Sequence, residues 1–319
     1  MQKVLPGTSR EALGIVFSQW RSLLQISAIP LVFYGLATFW QIRTMGNMYR
    51  SMGSMIVGDK INPAFFGEYF KSMGLTMIGS LLGAGFMGLM FVQIIRFHNS
   101  GEVRWLITDK AGLKASLFTL LYAIGIMMLT MLAYVGALIA LLIVSIIPAL
   151  LLGGSGSGAV GAGILMFIGI LCLLAFLYWF MFRFMVGLPG VALGSTPDFF
   201  KDMWPLSKGE TWGLPLRVIG SMLVAYIPIM IIMGLFMWPT LKDLVNNPAL
   251  QLGNDNPELV FPLVADIMDD MSYAMLASMI IMVPFMWYMT LLLAIAFQRF
   301  RDRQFSNKNQ APKGQAFAK

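Results

Sequence analysis

Side chains that could perform catalysis or hold a metal ion are few in this chain of 319 residues. The single histidine, His98, stands beside Asn99, Ser100 and Glu102, and an imidazole titrates near neutrality, as a proton carrier or sensor must. The single cysteine, Cys172, lies in an apolar run and excludes an intrachain disulfide. Because no second histidine or paired carboxylate stands near His98, we predict no metal site, no cofactor and no enzymatic activity.

Two further patterns carry a chemical alternative. The string Gly156-x-Gly158-x-x-Gly161 matches a dinucleotide fingerprint, but it lacks the preceding strand and the following acidic residue, so we interpret it as a turn. Methionines recur at helical spacing in the first loop, where they could bind copper(I) or form an apolar packing face, and we favour packing. These methionines are Met45, Met48, Met52 and Met55.

Apolar runs without charge organise the rest of the chain. With 58% hydrophobic and 12% charged residues, the composition is typical of a membrane protein. A helix needs roughly 20 apolar residues to cross the hydrocarbon, and six such spans are predicted. They cover residues 22–42, 72–95, 115–150, 161–182, 218–241 and 271–298. The third and fourth spans come from one long run that a glycine-serine turn at 153–158 divides.

We therefore predict an all-α, polytopic membrane domain over residues 1–303, followed by a basic, mobile cytoplasmic tail over 304–319. Arg-Phe pairs close every second span, which indicates three tandem helical hairpins. The pairs are Arg96-Phe97, Arg183-Phe184 and Arg299-Phe300. Ahead of the first span, Thr8 to Leu24 has one apolar face and one polar face, so we predict an amphipathic helix at the membrane surface.

Positive charge sets the predicted orientation. Seventeen of the 22 Lys and Arg residues fall on the side that holds both chain ends, so both termini are predicted to be cytoplasmic. The opposite side carries an acidic loop, 238–270, for which we weighed calcium binding and favoured a solvated cap. Since the basic residues lie between spans, the net charge of +7 indicates topology and attraction to anionic lipid headgroups, and we predict no nucleic-acid partner.

Two sets of residues are candidates for contact with lipid or a partner. Basic and Trp side chains at the predicted cytoplasmic surface are expected to meet lipid headgroups. This headgroup set is Trp20, Arg21, Arg96, Trp105, Arg183, Trp204, Lys208, Trp212, Arg217, Arg299, Arg301 and Arg303. Small residues on the second span are expected to permit close helix packing, within the chain or against a partner. This small-residue face is Gly79, Ser80, Gly83, Ala84 and Gly88.

One segment of the fourth loop resembles a known family. Arg183, Leu188-Pro189, Phe200 to Trp204 and Leu206-Ser207-Lys208-Gly209 before Trp212 are similar to a pattern in bacterial six-helix proteins of the YciC-like family. That family is related to the membrane domain that accompanies some glycerophosphoryl diester phosphodiesterases. The resemblance implies a bacterial inner-membrane protein. Those phosphodiesterases carry a separate soluble barrel that these 319 residues lack, so phosphodiester hydrolysis is not expected here.

Two functions remain open at this point. The first is a non-enzymatic membrane scaffold or accessory subunit that packs against another membrane protein, a second copy or lipid. The second is a transporter or lipid-handling protein for an apolar or zwitterionic substrate. We expect no ionisable group at membrane depth, which argues against an ion pump.

Overall fold

The computed structural model describes residues 7–53, 56–57, 60–61, 63–107, 109–151, 169, 172–173, 175–177, 179–194, 213–246 and 257–310. Within them the helices are α1 (Thr8–Ser18), α2 (Trp20–Gly53), α3 (Pro63–Ser100), α4 (Lys110–Leu151), α5 (Leu188–Ala192), α6 (Gly213–Asn246) and α7 (Pro257–Gln310). Two-residue strands β1 (Ile56–Val57) and β2 (Lys60–Ile61) pair antiparallel between α2 and α3. The predicted turn at 153–158 and the segment 195–212 lie outside the described residues.

The predicted fold class is confirmed. The described part of the chain is almost entirely helical, and six of its helices are long and apolar enough to cross a membrane. Those candidate spans are Trp20–Met52, Phe65–Ser100, Lys110–Gly136, Ala175–Ala192, Gly213–Thr240 and Phe261–Arg303. The chain is therefore an integral membrane protein with six candidate transmembrane helices.

Several helices extend beyond the predicted spans. Helix α2 continues from the predicted end at Ile42 to Gly53, and α7 begins at Pro257, well before the predicted start at 271. At roughly 1.5 Å per residue, the 34 residues of α2 measure about 50 Å, more than the hydrocarbon thickness of about 30 Å. The extra turns carry charge, which is why a search for charge-free runs stopped short of them. At the other end of α7, residues 304–310 of the predicted tail are helical.

Contacts divide the chain into two compact units. Unit 1 comprises Met1–Ala12, Leu117–Ile219 and Leu291–Lys319, and unit 2 comprises Leu13–Ser116 and Gly220–Thr290.

In unit 2, α2 packs between α3 and α7. Along its contact with α3, Phe33 stacks on Phe86 with ring centroids 5.0 Å apart. Along α7, Ser27 bonds Trp287 while Gly46 approaches Ala265, so the two helices run antiparallel. Ser221 and Thr240 of α6 contact Met289 and Asp270 of α7 in the same antiparallel sense. The α2–α3 and α6–α7 pairs thus form two helical hairpins.

Hydroxyl groups inside these apolar helices are bonded locally. A Ser or Thr side chain donates to the carbonyl oxygen one turn earlier, which removes an unpaired donor from a low-dielectric setting. Such bonds are made by Ser27, Thr44, Thr76, Thr130 and Thr290, to Leu23, Trp40, Ser72, Ile126 and Met286 respectively. Polar residues in the spans are therefore compatible with lipid surroundings.

Unit 1 has an aromatic core. Phe182, Phe184 and Phe300 are among its fully buried side chains, and Phe180 packs edge-on against Phe184 with centroids 5.1 Å apart. In unit 2, Phe97 is also buried. The Phe of each repeated Arg-Phe pair is thus a core residue, while the preceding Arg ends or interrupts an apolar segment.

Candidate functional site

The connection between α3 and α4 alternates polar and apolar side chains. Gly101, with φ of +71°, ends α3 in a conformation that favours glycine, and its N–H donates to the Phe97 carbonyl at 2.8 Å. Beyond it, Val103 and Trp105 are exposed, and Trp105 exposes 55% of its surface. Glu102 and Arg104 instead border a cleft. Exposed apolar side chains with an interfacial Trp are typical of a segment at headgroup depth.

Asp109 joins this loop to α4. Its Oδ2 accepts the Gly112 N–H at 2.8 Å and so caps the first turn of the helix. Arg96 of α3 donates from Nη1 to both carboxylate oxygens of Asp109, at 3.3 and 3.4 Å. The Gly112 N–H, followed by the Arg96 guanidinium, lowers the pKa of Asp109 below its ordinary value of 3.8. The carboxylate is therefore ionised at neutral pH and ties the end of α3 to the start of α4.

Gly112 leaves room for this arrangement. A Cβ at that position would lie 2.2 Å from Cγ2 of Ile107 and 2.7 Å from Nη1 of Arg96. Real Cβ atoms do not approach other atoms that closely, so only glycine fits without displacing the loop or the arginine.

The cleft lies where α2, α3 and this loop meet. Ile26, Gln93, Arg96, Glu102, Arg104 and Ile107 line a small cleft of about 30 Å³ that is partly open to the surroundings. Arg104 contacts Glu102 at 2.9 Å and Asp109 at 3.8 Å. Two arginines and one carboxylate thus line the cleft, and Asp109, which contacts both arginines, brings this cluster to zero net charge.

Gln93 is the buried polar side chain of the cleft. It is only 5% exposed, and its Nε2 donates to the Arg104 carbonyl at 3.5 Å. Its Oε1 is buried and has no hydrogen-bond partner among the described residues. A buried acceptor without a donor costs about 1 to 3 kcal/mol, so the site favours a ligand or water that supplies an N–H or O–H group.

A second charged cluster occupies the opposite end of α2. Arg50 contacts Asp269 of α7 at 2.6 Å and Asp266 at 3.3 Å, and Arg43 approaches Asp269 at 3.6 Å. Asp270 of α7 accepts a hydrogen bond from Thr240 of α6. Three helices are thus joined by polar contacts in what was predicted to be a first loop and an acidic cap.

Among the predicted headgroup residues, Trp20, Arg21, Arg96 and Trp105 belong to the cleft end of the α2–α3 pair. Trp20 is exposed, and the Arg21 guanidinium carbon lies 5.5 Å from the centroid of its ring. Arg301 and Arg303, on the last turns of α7, contact Asp302 and the ring of Phe300 respectively. Trp204, Lys208 and Trp212 lie outside the described residues.

Two other arginines of that predicted set bind within unit 1. Arg299 forms an ion pair with Glu11, and Arg217 donates to the hydroxyls of Thr8 and Ser9 at 3.3 and 3.4 Å. The first turns of α1, which was predicted to lie at the membrane surface, are therefore bonded to the start of α6 and to the C-terminal part of α7.

Arg183 is buried within unit 1. It is 8% exposed, lies within the candidate span Ala175–Ala192, and stacks over Trp179 at 5.2 Å from the ring centroid. The sequence predicted that the fourth span ends at residue 182, just before this charge, whereas the candidate span continues to Ala192. The Trp179 ring covers the cation within that segment.

The small-residue face of α3 divides in two. Gly79 lies against Trp40 and Gln41 of α2, where a Cβ would come within 3.1 Å of the Gln41 Cβ, and Gly83 faces Tyr34. Ser80 and Ala84 are exposed, and Gly88 is half-buried. The buried half of the face thus serves packing within the chain.

His98 and Cys172, which were considered for metal or redox chemistry, are not among the residues that line the cleft. His98 is half-buried near the end of α3, and Cys172 is exposed. In the part of the chain that the structure describes, no group of three His, Cys, Asp or Glu residues could hold a metal ion.

Sequence reasoning missed Gln93 and Asp109. The signal for Gln93 was its isolation, because it is a lone amide inside the apolar run 72–95 that the search for charged groups passed over. The signal for Asp109 was its place three residues before Gly112, as a cap that precedes an apolar helix.

No protein-family model, curated protein or solved structure matches this chain. The function of this chain is therefore inferred from the geometry of the two charged clusters and from the exposed apolar faces.

Proposed function

We propose that this chain is a non-enzymatic integral membrane scaffold or accessory subunit that packs against membrane lipid and a second membrane protein. The observation that carries the proposal is the cleft at one end of the α2–α3 hairpin, where charges of both signs border an exposed apolar loop. Such a combination suits the boundary between lipid tails and headgroups, where apolar and ionic contacts are available side by side.

Surface residues near the cleft support lipid contact. Val103, Trp105 and Leu106 of the loop expose apolar surface, and Phe17 and Trp20 do so at the α1–α2 junction. Arginines at this end can snorkel towards anionic phosphates while their stems stay in apolar surroundings. Lipid would then cover apolar surface whose exposure to water is unfavourable.

A partner protein is supported by the helices that are least covered. In α6 only 11% of the most apolar stretch is buried, against 61% in α7. Exposed large side chains repeat along α6 at helical spacing, and Met230 is exposed beside them: Leu223, Ile227, Ile231, Leu235 and Trp238. Methionine adapts to irregular neighbours, which suits a surface that packs against a second protein or a second copy.

The test is purification at native expression in a mild detergent, followed by native mass spectrometry. The scaffold proposal predicts masses that correspond to retained phospholipid and to a partner or second copy. If only the mass of the single chain, without lipid or partner, is found in every mild detergent, the proposal is overturned.

A lipid-handling protein that moves an apolar or zwitterionic substrate is the second candidate, and the cleft is the observation that favours it. Reconstitution into vesicles with fluorescent phospholipid distinguishes the two. Movement of the lipid between leaflets above the rate of protein-free vesicles supports handling, whereas retention without movement supports a scaffold.

The proposed location is the cytoplasmic membrane of a bacterium, with both termini in the cytoplasm. The excess of Lys and Arg on the side that holds both termini, together with the family resemblance, supports this location. Reporter tags at the two ends test it, because tags found on opposite faces would contradict an even number of spans with this orientation.

A further inference from the structure

We infer that the cleft recognises a phospholipid headgroup that joins a phosphate to a primary ammonium, as in phosphoethanolamine lipids. The inference rests on the proposed function, because it names the lipid that the proposed scaffold holds. It follows from four features of the site: an unpaired buried acceptor, two arginines, balanced charge and a position beside an exposed apolar loop.

The unpaired acceptor determines what the ligand must donate. Gln93 Oε1 is buried without a partner, while Nε2 of the same amide bonds the Arg104 carbonyl. Reversing the amide would place two acceptors face to face, so the donor side is fixed towards the loop and the acceptor stays unpaired in a residue that lines the cleft. A ligand that satisfies it carries an N–H or O–H group.

The arginines determine where a phosphate binds. Among the described residues, the Arg96 ion pair with Asp109 uses Nη1, which leaves Nε and Nη2 as donors for a ligand. Arg104 lies beside it on the loop and is more than half exposed. Guanidinium groups bind phosphate oxygens through planar, paired donors, so two of them at one cleft suit a phosphodiester.

Balanced charge selects among phospholipids. Arg96 and Arg104 are offset by Glu102 and Asp109, so a ligand of zero net charge leaves the site neutral. An ammonium can donate to the Gln93 acceptor. A choline group has no N–H to donate, and a glycerol headgroup supplies a hydroxyl but adds an uncompensated negative charge.

The surrounding surface favours a lipid over a soluble phosphate compound. Val103 and Trp105 are exposed on the segment that contributes Glu102 and Arg104 to the cleft. With those side chains among the acyl chains, the cleft opens at the depth of the headgroups. A membrane lipid then reaches it without leaving its leaflet.

The experiment uses the full chain in detergent with matched acyl chains on phosphatidylethanolamine, phosphatidylcholine and phosphatidylglycerol. Native mass spectrometry gives the affinity for each. We expect wild type to prefer the ethanolamine lipid over the choline lipid about tenfold, the usual effect of one hydrogen bond to a charged group. In Gln93→Leu that ratio falls to about one, because the acceptor is gone.

Two variants separate the roles within the cleft. Arg104→Gln weakens binding of the ethanolamine and choline lipids alike and preserves their ratio, since both carry the phosphate. Gln93→Met, an unbranched apolar side chain of similar length, also removes the acceptor and brings the ratio to about one, which provides a second readout if Gln93→Leu does not fold. Arg50→Gln, at the opposite end of α2, is the matched control and changes neither affinity nor ratio.

Each outcome decides one question. Lipid binding without an ethanolamine preference, or a preference that persists in Gln93→Leu, overturns this inference and leaves the scaffold proposal standing. Failure to bind any of the three lipids overturns the scaffold's lipid contact as well. Competition by soluble phosphoethanolamine at the concentration of the lipid itself would reassign the cleft to a soluble phosphate compound.

Discussion

Arginine–aspartate ion pairs lie near both ends of α2, but they join different parts of the chain. At the far end, Arg43 and Arg50 reach across to Asp269, which is more than 200 residues away on α7. At the cleft end, Arg96 contacts Asp109 only 13 residues later, and the loop between them folds over a buried amide. Ion pairs between distant helices hold those helices together, whereas ion pairs within one loop shape a space beside it.

The unsatisfied oxygens at the two ends differ in the same way. Asp269 Oδ1 is buried without a hydrogen bond among the described residues, yet the Arg43 Nε lies 3.6 Å away and compensates its charge. Gln93 Oε1 has no hydrogen-bond partner and no ion pair among the described residues. An acceptor whose charge the protein compensates stabilises the fold, whereas an unpaired buried acceptor costs free energy until a donor reaches it.

The largest expected effect comes from filling the space at Gly112. Gly112→Ala should lower the free energy of unfolding by about 2 to 3 kcal/mol, because the new methyl group collides with Ile107 and Arg96. Thermal unfolding followed by circular dichroism measures it. Gly85→Ala on α3 is the control, since nothing lies within 4 Å of its Cβ. Equal midpoints for the two variants would show that the loop does not close on the arginine.

The next effect tests what holds the helices at the cleft end. Trp287 of α7 donates to the Ser27 hydroxyl at 3.0 Å, and both residues are buried. Ser27→Ala leaves the indole N–H without its acceptor and should cost about 1 to 2 kcal/mol at any salt concentration. Ser18→Ala, at an exposed hydroxyl, should leave the unfolding midpoint unchanged.

A smaller, salt-dependent effect is expected at the far end. Asp269→Asn removes the partner of Arg50 and Arg43 and should cost about 1 kcal/mol at low salt, less at high salt. Asp266→Asn should cost less, since its carboxylate is 62% exposed and lies further from Arg50. Denaturation at two ionic strengths measures both. If Ser27→Ala proved salt-sensitive and Asp269→Asn did not, the contrast between the ends would be wrong.

The smallest effect is the pH dependence from Asp109. Its pKa is lowered in the folded protein, so its contribution to stability is complete above the ordinary value of 3.8 and is lost as pH falls through the folded pKa. Unfolding midpoints from about pH 6 to about pH 3 should fall less in Asp109→Asn than in wild type. Identical slopes would mean that Gly112 and Arg96 do not stabilise the carboxylate.

The six-helix architecture could be predicted from the sequence because crossing lipid demands long apolar runs. The helix ends could not. Arg43 and Asp269 appeared to mark loops, but Asp269 pairs with both Arg43 and Arg50, and both helices continue through these charged residues. Sequence spacing gives no sign that residues so far apart will meet.

The candidate site was predictable only in part. Arg96 and Trp105 were expected near headgroups from charge and residue type alone. Gln93 became informative only when the structure placed its two amide ends in different surroundings, one bonded and one not. Arg183 shows a second limit, because neither its charge nor its residue type predicted its burial against Trp179.

The short connection between α3 and α4 limits which changes this protein tolerates. Swapping Val103 for another apolar residue leaves Glu102 and Arg104 at the cleft that they line. Inserting a single residue before Glu102 would displace both charged side chains from it. The nine residues from Gly101 to Asp109 therefore act as a spacer, and their number matters as well as their identity.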